Sequence, residues 1–437
     1  MLNVGKIFSI MGNPNSLVPL AVKDFSATGG MTAGSFVTGT EEGQDRFIDE
    51  MGTEVIWLFG IPGFKWLFDK TVFKALKMDS KFDVRNLENK DVFEKIKKYA
   101  PTAEIKQNLL KIGKNQGTFK KAAMAKFIVS TALTVGSYIG LTKGKQAYTE
   151  HKIRKNLIEE YNSKKQNQVI DKNTNNPAFK GIGSAVKSLA FSPVKNMWIL
   201  DGCITGERLK DSRSTQEFIG YGIKEASTLC FMYYAGGKIQ EYFEKRANNK
   251  YNKSIGLDAR VLEDGSVKKV FDDGSITKSL EEFKLANKSD AALYNFLHQN
   301  PENEIVKVAK KSDIISMYKK PNKWYQIFKK KEVTDKIDTR KYIDLEEIRG
   351  VNHKLEELYK QYQKALSDGQ TSEKFFKGVK KLKRGSIIMN IGTCMFALGV
   401  LTPGIMLAKR FIRKDDVEFR TKAEVRQQLI EEGVIGE

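Results

Sequence analysis

At 437 residues the chain is long enough for two or three domains, each with a core of its own. Aromatic residues at 10% and apolar residues at 41% exclude a wholly disordered chain, while a mean hydropathy of −0.42 excludes one built mostly of lipid-facing helices. The net charge of +21 is carried mainly by lysine spread along the chain. General surface charge accounts for much of it, and an anionic phospholipid surface suits the remainder better than a nucleic acid does.

The opening segment, MLNVGKIFSIMGNPNS, lacks a long apolar run and therefore reads as no cleavable signal peptide. A first apolar stretch, Thr53–Phe68, is interrupted by Pro62 and Lys65 and carries Trp57 and Trp66. It reads as a re-entrant or interfacial segment, where amphipathic indole rings prefer to sit. Ala122–Thr142 has one charge, Lys126, close enough to its start to reach the interface. Within it Ala132, Gly136, Gly140 and Gly144 recur at every fourth position, which on a helix makes a groove for close approach of another helix. Tyr161–Asn176, rich in Lys, Asn and Gln, reads as the heart of a polar linker spanning 151–183.

The second half repeats the order of the first. At an offset of 172, Ser16, Leu17, Val22, Lys23, Gly30 and Gly34 meet Ser188, Leu189, Val194, Lys195, Gly202 and Gly206. At 171, Phe47, Ile48, Glu54 and Leu58 meet Phe218, Ile219, Glu225 and Leu229, and at 260, Leu141, Thr142 and Gly144 meet Leu401, Thr402 and Gly404. Three collinear blocks on the same kinds of segment point to an internal duplication. The rise in offset from 171 to 260 places an insertion of 89 residues in the second copy.

That insertion, 254–341, reads as a soluble α+β module. Asp264-Gly265 and Asp273-Gly274 between short β-rich runs predict a small meander. One helix is expected over Leu280–Gln299 and another in part of Glu302–Lys319. From Tyr342 to Leu366, Ile343, Ile348, Val351, Leu355, Leu358, Tyr362 and Leu366 fall on one helical face, a packing stripe. Gly385–Ala408 then offers 24 consecutive uncharged residues, enough to cross a hydrocarbon core of about 30 Å. It retains Gly392 and Gly404 from the small-residue pattern. Lys380, Lys381, Lys383 and Arg384 precede it and Lys409, Arg410, Arg413 and Lys414 follow, two clusters suited to anionic headgroups. A charged tail, 415–437, closes the chain.

The expected architecture is therefore mainly α: a first helical repeat over 1–150, the linker, the start of the second repeat over 184–253, the insertion, and the rest of the second repeat over 342–414. Localisation follows as an integral membrane protein with the insertion on the cytoplasmic side. A homo-oligomer is compatible with this pattern.

No catalytic constellation emerges. The three cysteines, Cys203, Cys230 and Cys394, are far apart in apolar surroundings and read as buried small hydrophobes. The three histidines lie in separate regions, and neither a metal site nor a cofactor is implied. Glu54 and Glu225 occupy matching positions at the start of apolar stretches, where a carboxylate must be paired, hydrated or protonated. The bland alternative has each at a helix N-terminus facing water. Together with Asp201, Arg208 and Arg213 they form the candidate polar site. The expected function is a membrane-embedded structural or interaction protein. The alternatives are a small transporter or lipid-translocating protein with a polar site between the repeats, and a soluble basic helical protein.

Overall fold

The computed structural model describes residues 4–13, 16–162, 193–212, 215–320, 332–413 and 422–436. The protein is mainly α-helical with one small antiparallel sheet. In chain order the helices are α1 (Val4–Met11), α2 (Val18–Thr38), α3 (Thr40–Phe68), α4 (Lys74–Leu76), α5 (Lys90–Lys98), α6 (Ala103–Lys114) and α7 (Gln116–Asn162). After the undescribed 163–192 come α8 (Pro193–Lys210), α9 (Thr215–Leu229), α10 (Gly236–Tyr251), α11 (Ala259–Glu263), α12 (Ser266–Asp272), α13 (Ser275–Ala286), α14 (Asp290–Gln299) and α15 (Glu304–Lys311). Strands β1 (Met317–Lys319) and β2 (Val333–Ile337) precede α16 (Leu345–Ser367), α17 (Ser372–Phe396), α18 (Thr402–Arg413) and α19 (Lys422–Glu431). Single π-helical turns join α3 to α4, α9 to α10 and α17 to α18.

The chain divides into two compact units. The first comprises Met1–Pro19, Phe68–Lys126 and Gly237–Ile391; the second comprises Leu20–Leu67, Phe127–Gly236 and Gly392–Glu437. In the first, Phe73, Phe82, Phe93 and Phe119 meet edge to face and hold α5 and the start of α7 together. Asn89 and Thr102 cap α5 and α6 with side-chain acceptors, satisfying amide groups that a helix start leaves open. The stripe of α16 is buried at Ile348, Val351, Leu355, Leu358 and Tyr362, as its spacing predicts, against the short helices α13 to α15. Leu366 at its end is exposed.

The predicted meander is absent from 254–285, which is helical instead. Gly265 and Gly274 take φ of +79° and +74° at helix junctions, not in hairpins. Asp264 and Asp273 each accept the amide of the serine two residues on, at 2.8 and 2.9 Å, starting α12 and α13. An Asp-Gly pair supplies the same left-handed turn to a hairpin and to a helix junction, so the dipeptide alone does not separate them. The only sheet among the described residues is β1–β2, with Met317 opposite Ile337 and Lys319 opposite Val333. The helix expected over Leu280–Gln299 is two, broken where Ser289 caps α14.

The second unit contains two helical hairpins, α2–α3 and α8–α9, with the greater part of α7, α18 and α19. Helix α3 runs through Pro62 without stopping. A Cβ at Gly30 would collide with the carbonyl of Gly399, so these two backbones touch where α2 crosses the turn between α17 and α18. Ser26 donates to the Met395 carbonyl at 3.1 Å in the same crossing. Added Cβ atoms at Gly52 and Gly60 would lie 2.6 Å from Leu141 and 2.7 Å from Thr134, fixing the approach of α3 to α7. Helix α7 continues to Asn162, into the stretch read as linker, and its end packs through Ile153 and Leu157 on Val425, Leu429 and Ile435. The charged tail is thus in part a packed helix. The rest of the linker lies outside the described residues.

Two helical stretches are long and apolar enough to cross a membrane, Gln116–Asn162 and Ser372–Lys409. The second unit also carries exposed large apolar side chains: Phe59 at 67%, Trp66 at 62%, Val400 and Phe396 at 58%, and Ile128 at 55%. Trp57, expected at an interface, is buried at 1%.

Candidate functional site

Helix α7 shows how the second unit is organised. Ser130, Thr134, Tyr138, Thr142, Lys145 and Thr149 recur every three or four residues and are all buried. Ile128, Val129 and Leu133 on the other side are exposed, and so are Ala132, Gly136, Gly140 and Gly144. Over 128–142 polar side chains point mostly inward and apolar ones outward, the reverse of a water-soluble helix, whereas the two ends of α7 bury Phe119, Phe127, Ile153 and Leu157 and expose Lys120, Lys121, Lys155 and Glu159. Helix α3 is inverted in the same way. Asp45 and Asp49, and Arg46, Glu50 and Glu54, are spaced four apart and buried, while Phe47, Val55 and Phe59 are exposed.

The buried face of α3 meets cations from three other helices. From α8, Arg208 donates Nη2 to Asp49 at 3.2 Å and to Thr53 at 3.0 Å, Nε to the Tyr138 hydroxyl at 2.7 Å, and Nη1 to Glu225. From α9, Lys224 binds Glu50 at 2.9 Å and Glu225 at 3.1 Å. From α7, Lys145 lies 3.2 Å from Asp45 and 3.6 Å from Asp49. Thr149 donates to Asp45 at 2.7 Å. Within α3, Arg46 pairs with Glu50 at 3.6 Å and lies over the Tyr221 ring.

The hairpins share a detail. In α2–α3, Thr28 donates to Glu54 at 2.9 Å; in α8–α9, Thr205 donates to Glu225 at 3.2 Å. Each time a threonine of the first helix holds a glutamate of the second. Around this layer Asp24 comes within hydrogen-bonding reach of Glu54, and Tyr233 donates to Asp201.

Taking charges of an ion out of water costs several kcal/mol even after relaxation, so such a set is stable only when nearly every charge is partnered. Five buried cations, Lys23, Arg46, Lys145, Arg208 and Lys224, stand among five buried carboxylates, Asp45, Asp49, Glu50, Glu54 and Glu225. Half-buried Asp24 and Asp201 add two more carboxyls. Asp49 Oδ1, Glu50 Oε1 and Glu54 Oε2 are buried and accept no hydrogen bond from the described residues under ordinary donor geometry, which leaves acceptor capacity in a site rich in acid. No group of three or more potential metal ligands occurs among the described residues.

Of the sequence-derived polar set, Arg208 and Glu225 are in direct contact, and Glu54 and Asp201 lie in the surrounding layer; Arg213 lies outside the described residues. Asp45, Asp49, Glu50, Lys145 and Lys224 were not among the expected site residues. For the three acids the signal was the i, i+4 spacing of charges in TEEGQDRFIDEMGTE, opposite an apolar face; Lys145 and Lys224 lie outside that segment.

The other expected sites are placed differently. A Cβ at Gly136, Gly140, Gly144, Gly392 or Gly404 would meet open space, so within this chain the close helix contacts are made by Gly30, Gly399, Gly52 and Gly60 instead. Lys383 is buried with Nζ on the Ile255 carbonyl at 2.8 Å, Lys380 donates to the Glu263 carbonyl at 3.1 Å, and Arg384 binds Glu263 at 2.7 Å. These three are committed to protein acceptors, while Lys381 is exposed. Lys409 is half-buried at the end of the last apolar helix. The side chains of Arg410 and Arg413, and Lys414 altogether, lie outside what is described. Cys203 and Cys230 are exposed and Cys394 is buried, against the expectation that all three are buried.

No family model matches this chain, and neither a curated protein nor a solved structure does.

Proposed function

We propose that this is a membrane-embedded structural or interaction protein in which two pseudo-repeats are locked together by a buried ion network. The observation that carries this reading is the inverted polarity of α7 over 128–142 and of α3. A helix that buries Tyr138, Lys145 and Thr149 while exposing Ile128 and Leu133 is stable where its surroundings are apolar. The matched glutamates, Glu54 and Glu225, are each held by a threonine of the preceding helix, but Thr28 and Thr205 are 177 positions apart and do not match at the offsets of 171–172, so the likeness lies in the glutamates alone. In lipid, apolar burial between helices gains little, and charge pairs between Asp49 or Glu50 and Arg208 or Lys224 supply the adhesion that a hydrophobic core supplies in water. Of the basic residues before the last span, exposed Lys381 is the one left to hold an anionic headgroup among the described side chains.

Carbonate extraction of a membrane fraction tests the placement: the protein stays in the pellet, and release to the supernatant removes this reading. Cys203 and Cys230 give an independent check. Facing lipid, they resist a membrane-impermeant maleimide in vesicles and react once detergent strips the bilayer.

One observation favours the second reading, a small transporter. Among the described residues five buried and two half-buried carboxyls stand with five buried cations, and a surplus of acid is what a proton- or cation-coupled pathway requires. Cysteines substituted at both ends of α3 decide whether it crosses the bilayer. Accessibility from one side only excludes a pathway through a single copy.

A further inference from the structure

We infer that the first unit holds a site for a phosphate-bearing anion, the headgroup of an acidic phospholipid, in the cleft formed by α4, the segment after it, the start of α6 and the end of β1. The cleft measures about 530 Å³, within the range of small-ligand sites. Its rim carries Lys74, Lys77, Lys81 and Lys319, all exposed and without a carboxylate partner among the described residues. Arg340 is held at its wall by Asp338 at 2.8 Å and Asp79 at 3.4 Å. The carboxylates nearby are mostly spent: Asp69 binds Lys126 at 2.5 Å and Asp79 faces Arg340, leaving Glu104 as the one unpaired acid against four unpaired lysines.

Lys77 argues that the charge is there for use. It ends α4 in the left-handed conformation, with φ 51° and ψ 42°, where glycine or asparagine is the ordinary choice and other residues are strained. A lysine at that position gives up stability to put an ammonium at the cleft. Its carbonyl and that of Leu76 are tied down by Lys111 at 3.2 and 3.0 Å, so the turn presenting it is fixed. The chain position supplies the source of the anion. Asp69 follows directly on Trp66-Leu67-Phe68, with Trp66 and Leu67 exposed, and Lys126 directly precedes the apolar stretch of α7. An indole beside basic residues at the end of an apolar helix is the pattern of a headgroup layer. This assignment to lipid, as opposed to a soluble phosphate ester, rests on the membrane reading above.

The test uses the full chain in detergent and native mass spectrometry with phosphatidylglycerol, phosphatidylcholine and free glycerol phosphate as probes. Lys77→Gly removes the charge and relieves the backbone, so loss of binding there is not loss of fold; Lys74→Gln with Lys81→Gln is the second variant. Phosphatidylglycerol affinity falls about fivefold for each lysine removed, and the weak phosphatidylcholine adducts do not change. Unchanged phosphatidylglycerol affinity in both variants overturns the site. Glycerol phosphate binding as tightly as the lipid, with both lost in the variants, overturns the lipid assignment. Carbonate release of the protein alongside lysine-dependent phosphatidylglycerol binding would sink the membrane reading and leave the cleft standing.

Discussion

The guanidinium of Arg208 lies 3.2 Å from the carboxylate of Asp49, with 159 positions of chain between them. The two residues come from different helical hairpins, and both are almost fully buried. Arg208 also touches Glu225, Thr53 and Tyr138, so one side chain joins α3, α7, α8 and α9. Replacing it therefore strands several acceptors at once. Arg208→Ala is expected to cost about 3–5 kcal/mol, the usual penalty for leaving buried charges unpaired. Arg208→Lys keeps the charge but not the planar fork and recovers only part of the loss. Thermal unfolding in detergent measures both, and an Arg208→Ala melt equal to wild type would remove the network from the list of stabilising features.

The crossing of Gly30 on Gly399 makes a second prediction. An alanine at either position pushes a methyl into backbone or into Ser26 and should destabilise by about 1–3 kcal/mol. Gly136→Ala and Gly140→Ala have open space around them and should be neutral or stabilising by up to about 1 kcal/mol. Parallel melts of the four variants separate the two sets.

The exposed apolar surface of the second unit is tested by charge. In lipid, Phe59→Lys or Val400→Lys should hinder insertion by roughly 3 kcal/mol and deplete the protein from the membrane fraction. Leu285→Lys, on an equally exposed site of the first unit, should change stability by no more than about 0.5 kcal/mol. Equal behaviour of all three variants would place the second unit in water.

A pH dependence is expected in the first unit. His298 stacks on Tyr99 with ring centroids 4.3 Å apart, and burial holds its pKa down at about 4 against an ordinary 6.5, with Lys310 adding to the effect. The native state therefore binds fewer protons than the unfolded state between these values. Stability is full above pH 6.5 and declines as the pH falls towards 4, by up to about 3 kcal/mol. Hydrogen exchange of α14 at pH 7 and pH 4.5 reads the decline, and His298→Phe, which keeps a ring against Tyr99, should flatten it.

What could be read from the residues depended on whether one signal had one structural outcome. The stripe from Ile348 to Tyr362 did: a periodicity of 3.6 with that many apolar positions packs as a helix face. Arg208 and Glu225 were legible as members of one polar set, because charge beside an apolar stretch must be matched, but not as partners of each other. Asp49 and Lys145 were not legible, because a window such as QDRFIDE looks the same whether its charges face water or each other. Only the partner helices decide, and those are distant in sequence. The Asp-Gly pairs at 264–265 and 273–274 misled for a related reason, since a left-handed glycine serves a hairpin and a helix junction alike. The ridge of Gly136, Gly140 and Gly144, read as a groove for another helix, faces open space within this chain, and the backbones that touch use Gly30 and Gly399, a single pair without periodicity.

The ion network also has a consequence for how the chain is made. Ribosomes add about 5–20 residues per second. Asp49 therefore emerges roughly ten to thirty seconds before Arg208, which follows it by 159 positions, and Glu50 waits longer still for Lys224, 174 positions on. During that interval the first hairpin carries more acid than its own Arg46 and Lys23 can neutralise. On the proposed membrane reading it holds that acid in water, or under the care of an insertion factor, until the second hairpin arrives, so the nascent protein would reach its final depth in one late step.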